Sequence, residues 1–380
     1  MAAVLLTVSG TIPPDIEVQV QQGQRPCPDY LALARAMGAT LLDYVAARRM
    51  TGWLGRALER LGGSNLMLAW ACFIQRRNYA VIFTDGEQVG IPLAVLLKFL
   101  GWLLPGQTQH LMIAHILSVG KKLIFFDWLR IQSHIQQFFV YSTWQKRFIE
   151  TRLQVPPERV IFTPFMVDAQ FFSPTPAHVQ PQRTQTVCAV GIERRDYPTL
   201  LQAVRGLDVQ VVVAAASPWS KQANSMQGLG IPPNVSVRRF SQFDLRQLYA
   251  DCAFMVMPLY EVEFQAGVTA ILEAMSMQRA VICSRTRGQT DVVVDGDNGL
   301  YVPPGDANAL RQAILALLDQ PHEAARMGQQ GRALIEHEMS LDCYVQRLSA
   351  FVRAAMHANP TGNKTPDKAI VGINNKAGVA

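Results

Sequence analysis

The string Phe264-Gln265-Ala266-Gly267-Val268-Thr269-Ala270-Ile271-Leu272-Glu273 joins a glycine turn to a helical stretch that holds one carboxylate among apolar and small residues. The free N–H groups and partial positive charge of a helix N-terminus suit a phosphate or a sugar hydroxyl. A carboxylate further along the same helix can accept hydrogen bonds from a ribose. Together these parts would hold a nucleotide-sugar. Gln278-Arg279-Ala280-Val281-Ile282, Thr290-Asp291 and Gly296-Asp297-Asn298-Gly299-Leu300-Tyr301-Val302 continue the same stretch.

In this order and spacing the stretch resembles the signature of the retaining glycosyltransferases of family 4, whose fold is GT-B. Members usually carry two glutamates separated by seven residues; eight positions before Glu273 this chain has Gln265. Pro164 to Asp168 with Phe171-Phe172-Ser173-Pro174 resembles the family's domain hinge. Val190-Gly191 with Arg195-Asp196-Tyr197-Pro198-Thr199-Leu200 resembles the opening of its second domain.

The resemblance implies roles for individual residues. Arg195 stands where the family has a basic residue that meets phosphate charge, and with His115, which ends the apolar run Leu111 to Ala114, it forms the expected catalytic pair. Donor contacts are expected from Gly10 in the Ser9-Gly10-Thr11 turn, and from Gln265, Gly267, Val268, Thr269 and Glu273. Arg194 is a further donor candidate, because Ile192 follows Gly191 where a second basic residue is usual. Gln265 can exchange hydrogen bonds with sugar hydroxyls but supplies no negative charge; Glu263 is nearby at the wrong spacing. Asp85-Gly86 reads either as an acceptor contact or as a structural turn, and Trp219 either as a cleft residue or as loop packing.

Retaining transfer needs the growing charge on the diphosphate stabilised. Cationic side chains and helix ends can do so without a metal. No cofactor or metal is therefore expected, and Asp295-Gly296-Asp297 reads as an acidic turn.

At 380 residues the chain has room for two domains, and with about half its residues apolar it is not a disordered one. The six cysteines form no close pair and read as buried thiols. Met1 to Val8 reads as a buried first strand rather than a leader, and the run Ile91 to Pro105 is too short and too interrupted to cross a bilayer. Net charge is +6, and the residues through Asp168 hold 16 Lys+Arg against 11 Asp+Glu, so nearly all the excess lies in the first half. That balance suits an anionic or lipid-linked acceptor and a weak peripheral contact with a membrane. Nothing points to nucleic acid. The location expected is cytoplasmic, at the inner face of a membrane where such contact forms.

Apolar strands alternating with helices predict parallel sheets covered on both faces. The expected architecture is α/β, GT-B, with two Rossmann-like doubly wound domains facing across a cleft: residues 1–168 for the acceptor and 169–340 for the donor. A helix over 341–356 returns to the first domain, and 357–380 form an unstructured tail. Among the expected elements are strands Tyr79–Thr84 and Ala280–Ser284, helices over 48–61 and 65–75, and a helix over 91–104 with Pro92 in its first turn. The function expected is transfer of a sugar from a nucleotide-sugar to an unidentified acceptor with retention. The alternative is a catalytically silent nucleotide-sugar-binding protein of the same fold; a phosphorylase or epimerase would need free phosphate or a different acid–base set.

Overall fold

The structure is a computed structural model that describes residues 2–101, 108–174, 185–215 and 230–357. Trp219, most of the expected linker and the expected tail lie outside these residues. Short runs of β-branched, aromatic and aliphatic residues become strands because both of their faces are covered. The first six are β1 (Ala2–Thr7), β2 (Thr40–Leu42), β3 (Tyr79–Thr84), β4 (Gln109–Ala114), β5 (Gln137–Val140) and β6 (Val160–Phe162). They form a parallel sheet in the order β2-β1-β3-β4-β5-β6. The next six are β7 (Thr186–Val190), β8 (Gln210–Ala214), β9 (Val235–Arg238), β10 (Phe254–Met257), β11 (Ala280–Ser284) and β12 (Gly299–Val302). They form a second parallel sheet in the order β12-β11-β10-β7-β8-β9.

Both orders reverse direction once. The chain leaves β1 toward β2 and comes back to place β3 on the other side of β1; likewise it leaves β7 toward β8 and β9 and comes back with β10. Such reversal points open a crevice beyond the carboxyl ends of the strands, where ligands bind in open α/β sheets. The loops that meet there follow β1 and β3 in one sheet and β7 and β10 in the other.

Helix boundaries depart from expectation in two instructive places. The helix before β4 starts at Glu87, four residues earlier than the sequence suggests, and Pro92 lies inside it. The helical run Tyr44–Gln75 breaks at Gly52 (φ 59°, ψ −138°) and Gly63 (φ 80°, ψ 175°), giving three segments rather than two. A helix at Gly120–Asp127, which goes unread in the sequence, follows β4.

The sheets are joined by two crossings that run side by side. Val167 N–H donates to Met339 O at 3.0 Å, and Leu341 N–H donates to Val167 O at 2.8 Å. Past the second crossing, the helix Leu341–His357 lays Tyr344, Leu348 and Val352, all fully buried, against Val4, Leu6, Phe83 and Phe139 of the first sheet. Each large apolar side chain so buried stabilises the fold by about 1.5–3 kcal/mol. Tyr344 keeps its hydroxyl paired with that of Tyr141 at 2.9 Å.

Among the described residues, one hydrogen-bonded contact spans the sheets away from the crossings. Asp291 accepts from Thr143 N–H at 3.1 Å and from Thr143 Oγ1 at 2.6 Å. Thr143 is the first residue of the helix Thr143–Arg152, whose free N–H groups favour a carboxylate. Removing this clasp should loosen the approach of the two sheets. The radius of gyration of Asp291→Ala, measured by small-angle scattering without ligand, should exceed that of the unsubstituted chain. Superimposable curves would show that the clasp holds nothing shut.

Candidate active site

At the second reversal point Arg195 follows β7, and its backbone is tied to the loop after β10. Asp196 N–H donates to Pro258 O at 3.0 Å, and Tyr260 N–H donates to Arg194 O at 3.1 Å. The Arg195 side chain is 5 % exposed. Its Nε donates to Val190 O at 2.8 Å and its Nη1 to Glu193 O at 2.6 Å. These are carbonyls and carry no full negative charge. Burial holds the guanidinium below its usual range, but an arginine keeps its proton in any case. The third nitrogen, Nη2, lies between two glycines. A Cβ on Gly191 would collide with it, and one on Gly267 would come within 3.1 Å of it and 2.7 Å of Met257 Sδ. Both glycines also have left-handed backbones, φ 98° and 80°, so both positions demand glycine on two independent grounds.

Gly267 is the N-cap of the helix Val268–Ser276, and no side chain caps that terminus. A buried cation and an open helix N-terminus therefore meet at one spot, which suits an anion such as a diphosphate. Gln265 stands just before, and its buried Oε1 has no hydrogen-bond partner among the described residues. An orphaned acceptor of this kind is costly and calls for an explanation. Thr269 is exposed at the first turn, while Val268 is buried and contributes only its backbone. Arg194 is exposed on a left-handed backbone, φ 57°.

Glu273 lies two turns into the same helix and is 7 % exposed. Tyr249 donates its hydroxyl to Glu273 Oε2 at 2.8 Å, a partner that no spacing in the sequence announces. Burial raises the Glu273 pKa to about 7, and the tyrosine hydrogen bond offsets part of that rise. Among the described ion pairs none involves Glu273.

The first reversal point is organised by two carboxylates, half-buried Asp85 and buried Glu87. Asp85 accepts from Thr7 Oγ1 at 2.6 Å, Ser9 N–H at 2.5 Å and Ser9 Oγ at 2.9 Å. Its carboxylate thus braces the turn after β1. Gly10 sits in that turn with nothing among the described residues crowding the place of a side chain. His115 Nε2 donates to the Asp85 carbonyl at 2.9 Å, because a carbonyl only accepts. In the neutral ring this leaves the Nδ1 lone pair to receive a donor. Glu87 accepts from His115 N–H at 2.9 Å, Ile116 N–H at 3.2 Å and Lys122 Nζ at 2.7 Å. Burial alone would raise the Glu87 pKa, but His115 and Lys122 hold it below the usual carboxylate range. Gln145 completes the setting by donating to His115 O. The structure thus brings Gly10, Asp85 and His115 together on one sheet, and Arg195, Gln265, Gly267 and Glu273 on the other. Asp295 and Asp297 serve the turn before β12: Asp295 accepts from Tyr301 N–H at 2.8 Å, and Asp297 faces Arg326 at 3.8 Å.

Residues 187–320, which contain the whole second-sheet half of this site, match the family described as glycosyl transferases group 1. The two-sheet architecture as a whole is the GT-B fold. Among curated relatives, the MMP alpha-(1->4)-mannosyltransferase of Mycolicibacterium hassiacum is 28% identical over 211 residues, 53% of this chain and 50% of that protein. The alpha-D-kanosaminyltransferase of Streptomyces kanamyceticus is 27% identical over 152 residues, 39% of this chain and 38% of that one. The chain thus matches half or less of the length of these relatives. Among solved structures, sucrose-phosphate synthase from Thermosynechococcus elongatus superimposes with a TM-score of 0.67 at 18% identity, covering 94% of this chain and 100% of that one. Anabaena HepE in complex with UDP-glucose does so with a TM-score of 0.68 at 14% identity, covering 93% and 99%.

The Glu273 carboxyl makes stability depend on pH. Between the ordinary glutamate value and about 7 the native group keeps a proton that the unfolded one has released. Its contribution is complete below the ordinary value and fades as pH rises through 7, by roughly 3 kcal/mol at most. The thermal midpoint of the unsubstituted chain should therefore fall between pH 5 and pH 8 relative to that of Glu273→Gln. Equal pH slopes for the two proteins would mean that the carboxyl is already ionised at pH 5.

Proposed function

We propose that this chain is a retaining glycosyltransferase that works on a nucleotide-sugar without a metal. The observation that carries the reading is Arg195. It is a buried guanidinium satisfied only by carbonyls, with one nitrogen between Gly191 and Gly267 beside the uncapped helix N-terminus. That combination has no ion-pair partner among the described residues and fits a diphosphate. On this reading Glu273, held by Tyr249, takes the ribose hydroxyls, and Gln265 Oε1 accepts from a hydroxyl of the sugar. His115 Nδ1 accepts from another sugar hydroxyl across the cleft, its ring fixed by the Asp85 carbonyl.

As the bond from the anomeric carbon to the phosphate oxygen breaks, its electron pair moves onto that oxygen. Arg195 and the helix N–H groups stabilise the charge that appears there. Gln265, an amide where the family usually has a carboxylate, offers no anionic nucleophile for a covalent intermediate. Retention then follows from attack by the acceptor hydroxyl on the face the phosphate leaves, with the hydroxyl proton passing to the departing phosphate oxygen. The mannosyl- and kanosaminyltransferase names of the relatives and the UDP-glucose bound to HepE support a nucleotide-sugar donor.

Charge-assisted hydrogen bonds contribute roughly 1.5–3 kcal/mol, and about 1.4 kcal/mol is tenfold in affinity. Arg195→Ala should therefore bind a nucleoside diphosphate about 10- to 150-fold more weakly by calorimetry, with its fold intact by circular dichroism. Gln265→Ala should lose affinity for the intact nucleotide-sugar and little for the bare diphosphate. Unchanged diphosphate binding by folded Arg195→Ala would remove the basis of the reading. Donor hydrolysis without acceptor separates an active enzyme from a silent binding protein, and it should persist in EDTA. Abolition by the chelator with rescue by Mg²⁺ or Mn²⁺ would overturn the metal-free mechanism.

A further inference from the structure

The break at Gly52 turns the first part of the run Tyr44–Gln75 into a helical hairpin. Arg48 Nε donates to Glu59 Oε2 at 2.9 Å, although 11 residues of straight helix would separate them by about 16 Å. The Tyr44 hydroxyl donates to Asn65 Oδ1 at 2.6 Å, closing the base across 21 positions. Segments 44–51 and 53–62 thus run out and back as one projection. Its base is anchored at the mouth of the first reversal point. Tyr44 N–H donates to Gly10 O at 3.0 Å, and Asp43 accepts from Ile12 N–H at 3.0 Å.

The hairpin is inside out. Met50 is 42%, Trp53 74% and Leu61 83% exposed, while Gly55 is buried. At 3.6 residues per turn, Trp53, Ala57, Leu61 and Leu54 share an arc of about 100°. Arg60 and Arg56 lie just beyond one edge of that arc, and both are exposed, as is Arg49. An amphipathic helix in a globular protein turns its apolar arc inward; this one turns it to solvent and borders it with guanidinium groups. The hairpin carries four arginines, Arg48, Arg49, Arg56 and Arg60, against the single acid Glu59. Exposed tryptophan and leucine bordered by arginine is the pattern of a helix that lies in the headgroup region of a bilayer, where both kinds of side chain are satisfied at once.

We infer that the hairpin 44–62 docks this protein onto an anionic lipid bilayer and sets the mouth beside Gly10 against the membrane surface. The apolar arc enters the headgroup boundary, and Arg49, Arg56 and Arg60 meet anionic headgroups. The inference rests on the hairpin alone and stands or falls independently of the donor site.

The test is co-sedimentation of the full chain with vesicles of phosphatidylcholine and phosphatidylglycerol, and with vesicles of phosphatidylcholine alone. Binding should require phosphatidylglycerol and should weaken as salt rises. Trp53→Ser/Leu61→Ser and Arg49→Gln/Arg56→Gln/Arg60→Gln should each reduce partitioning by tenfold or more. Both replace exposed side chains, so the thermal midpoint and nucleoside diphosphate affinity should stay as in the unsubstituted chain. Absence of binding to anionic vesicles at low salt overturns the proposal, as does binding that survives both sets of substitutions. It is also overturned if sedimentation velocity shows a self-association that Trp53→Ser/Leu61→Ser abolishes while vesicle binding is unaltered.

Discussion

The second-sheet side of this molecule is arranged around the space needed by one guanidinium. Arg195 is threaded back under its own loop, where it satisfies Val190 O and Glu193 O and brings Nη2 up against the backbone of Gly191 and Gly267. A Cβ at either glycine would occupy that space. Three features depend on it: the conformation of the loop after β7, the entry angle of the helix Val268–Ser276, and the absence of a capping side chain at that helix. Among the described residues this cation meets only carbonyl dipoles, an arrangement suited to an anion supplied from outside.

The first sheet solves the opposite problem. Here the charged groups are carboxylates, half-buried Asp85 and buried Glu87, and both find hydrogen-bond donors within the fold. Asp85 is satisfied by Thr7 and Ser9, and Glu87 by two backbone N–H groups and Lys122. Neither carboxylate is left seeking a ligand. Their effect is to fix two loops, the turn that carries Gly10 and the strand end that carries His115, so that the histidine presents a defined nitrogen.

Much of this was legible in the chain because it is local. The distance from Gly267 to Glu273 along one helix, the place of Arg195 just after a strand and glycine, and the strands at Tyr79–Thr84 and Ala280–Ser284 follow from short-range pattern and composition. What stayed hidden is the pairing that only topology creates. Asp85 meets Ser9 from 76 positions away, Tyr249 meets Glu273 from 24, and Asp291 meets Thr143 from 148. Pro92 misled the reading of its helix because proline is favoured in a first turn, yet here it is accommodated in a helix that began at Glu87. The fold-back at Gly52 escaped notice because apolar periodicity continues through it; only the backbone angle reports the turn.

The paired crossings between the sheets have a mechanical consequence. A single linker between two bodies permits swivel, sliding and separation. Two chains hydrogen-bonded side by side at Val167 and Met339–Leu341 behave as a strap with one compliant axis, along the pair, and resist shear across it. Because the second chain is anchored by Tyr344 and Leu348 in the face of the first sheet, tension on the strap is carried into a hydrophobic core rather than into a loop. The molecule is thereby built to open like a book on its spine, and a cut at the spine would free one cover while stripping the lining from the other.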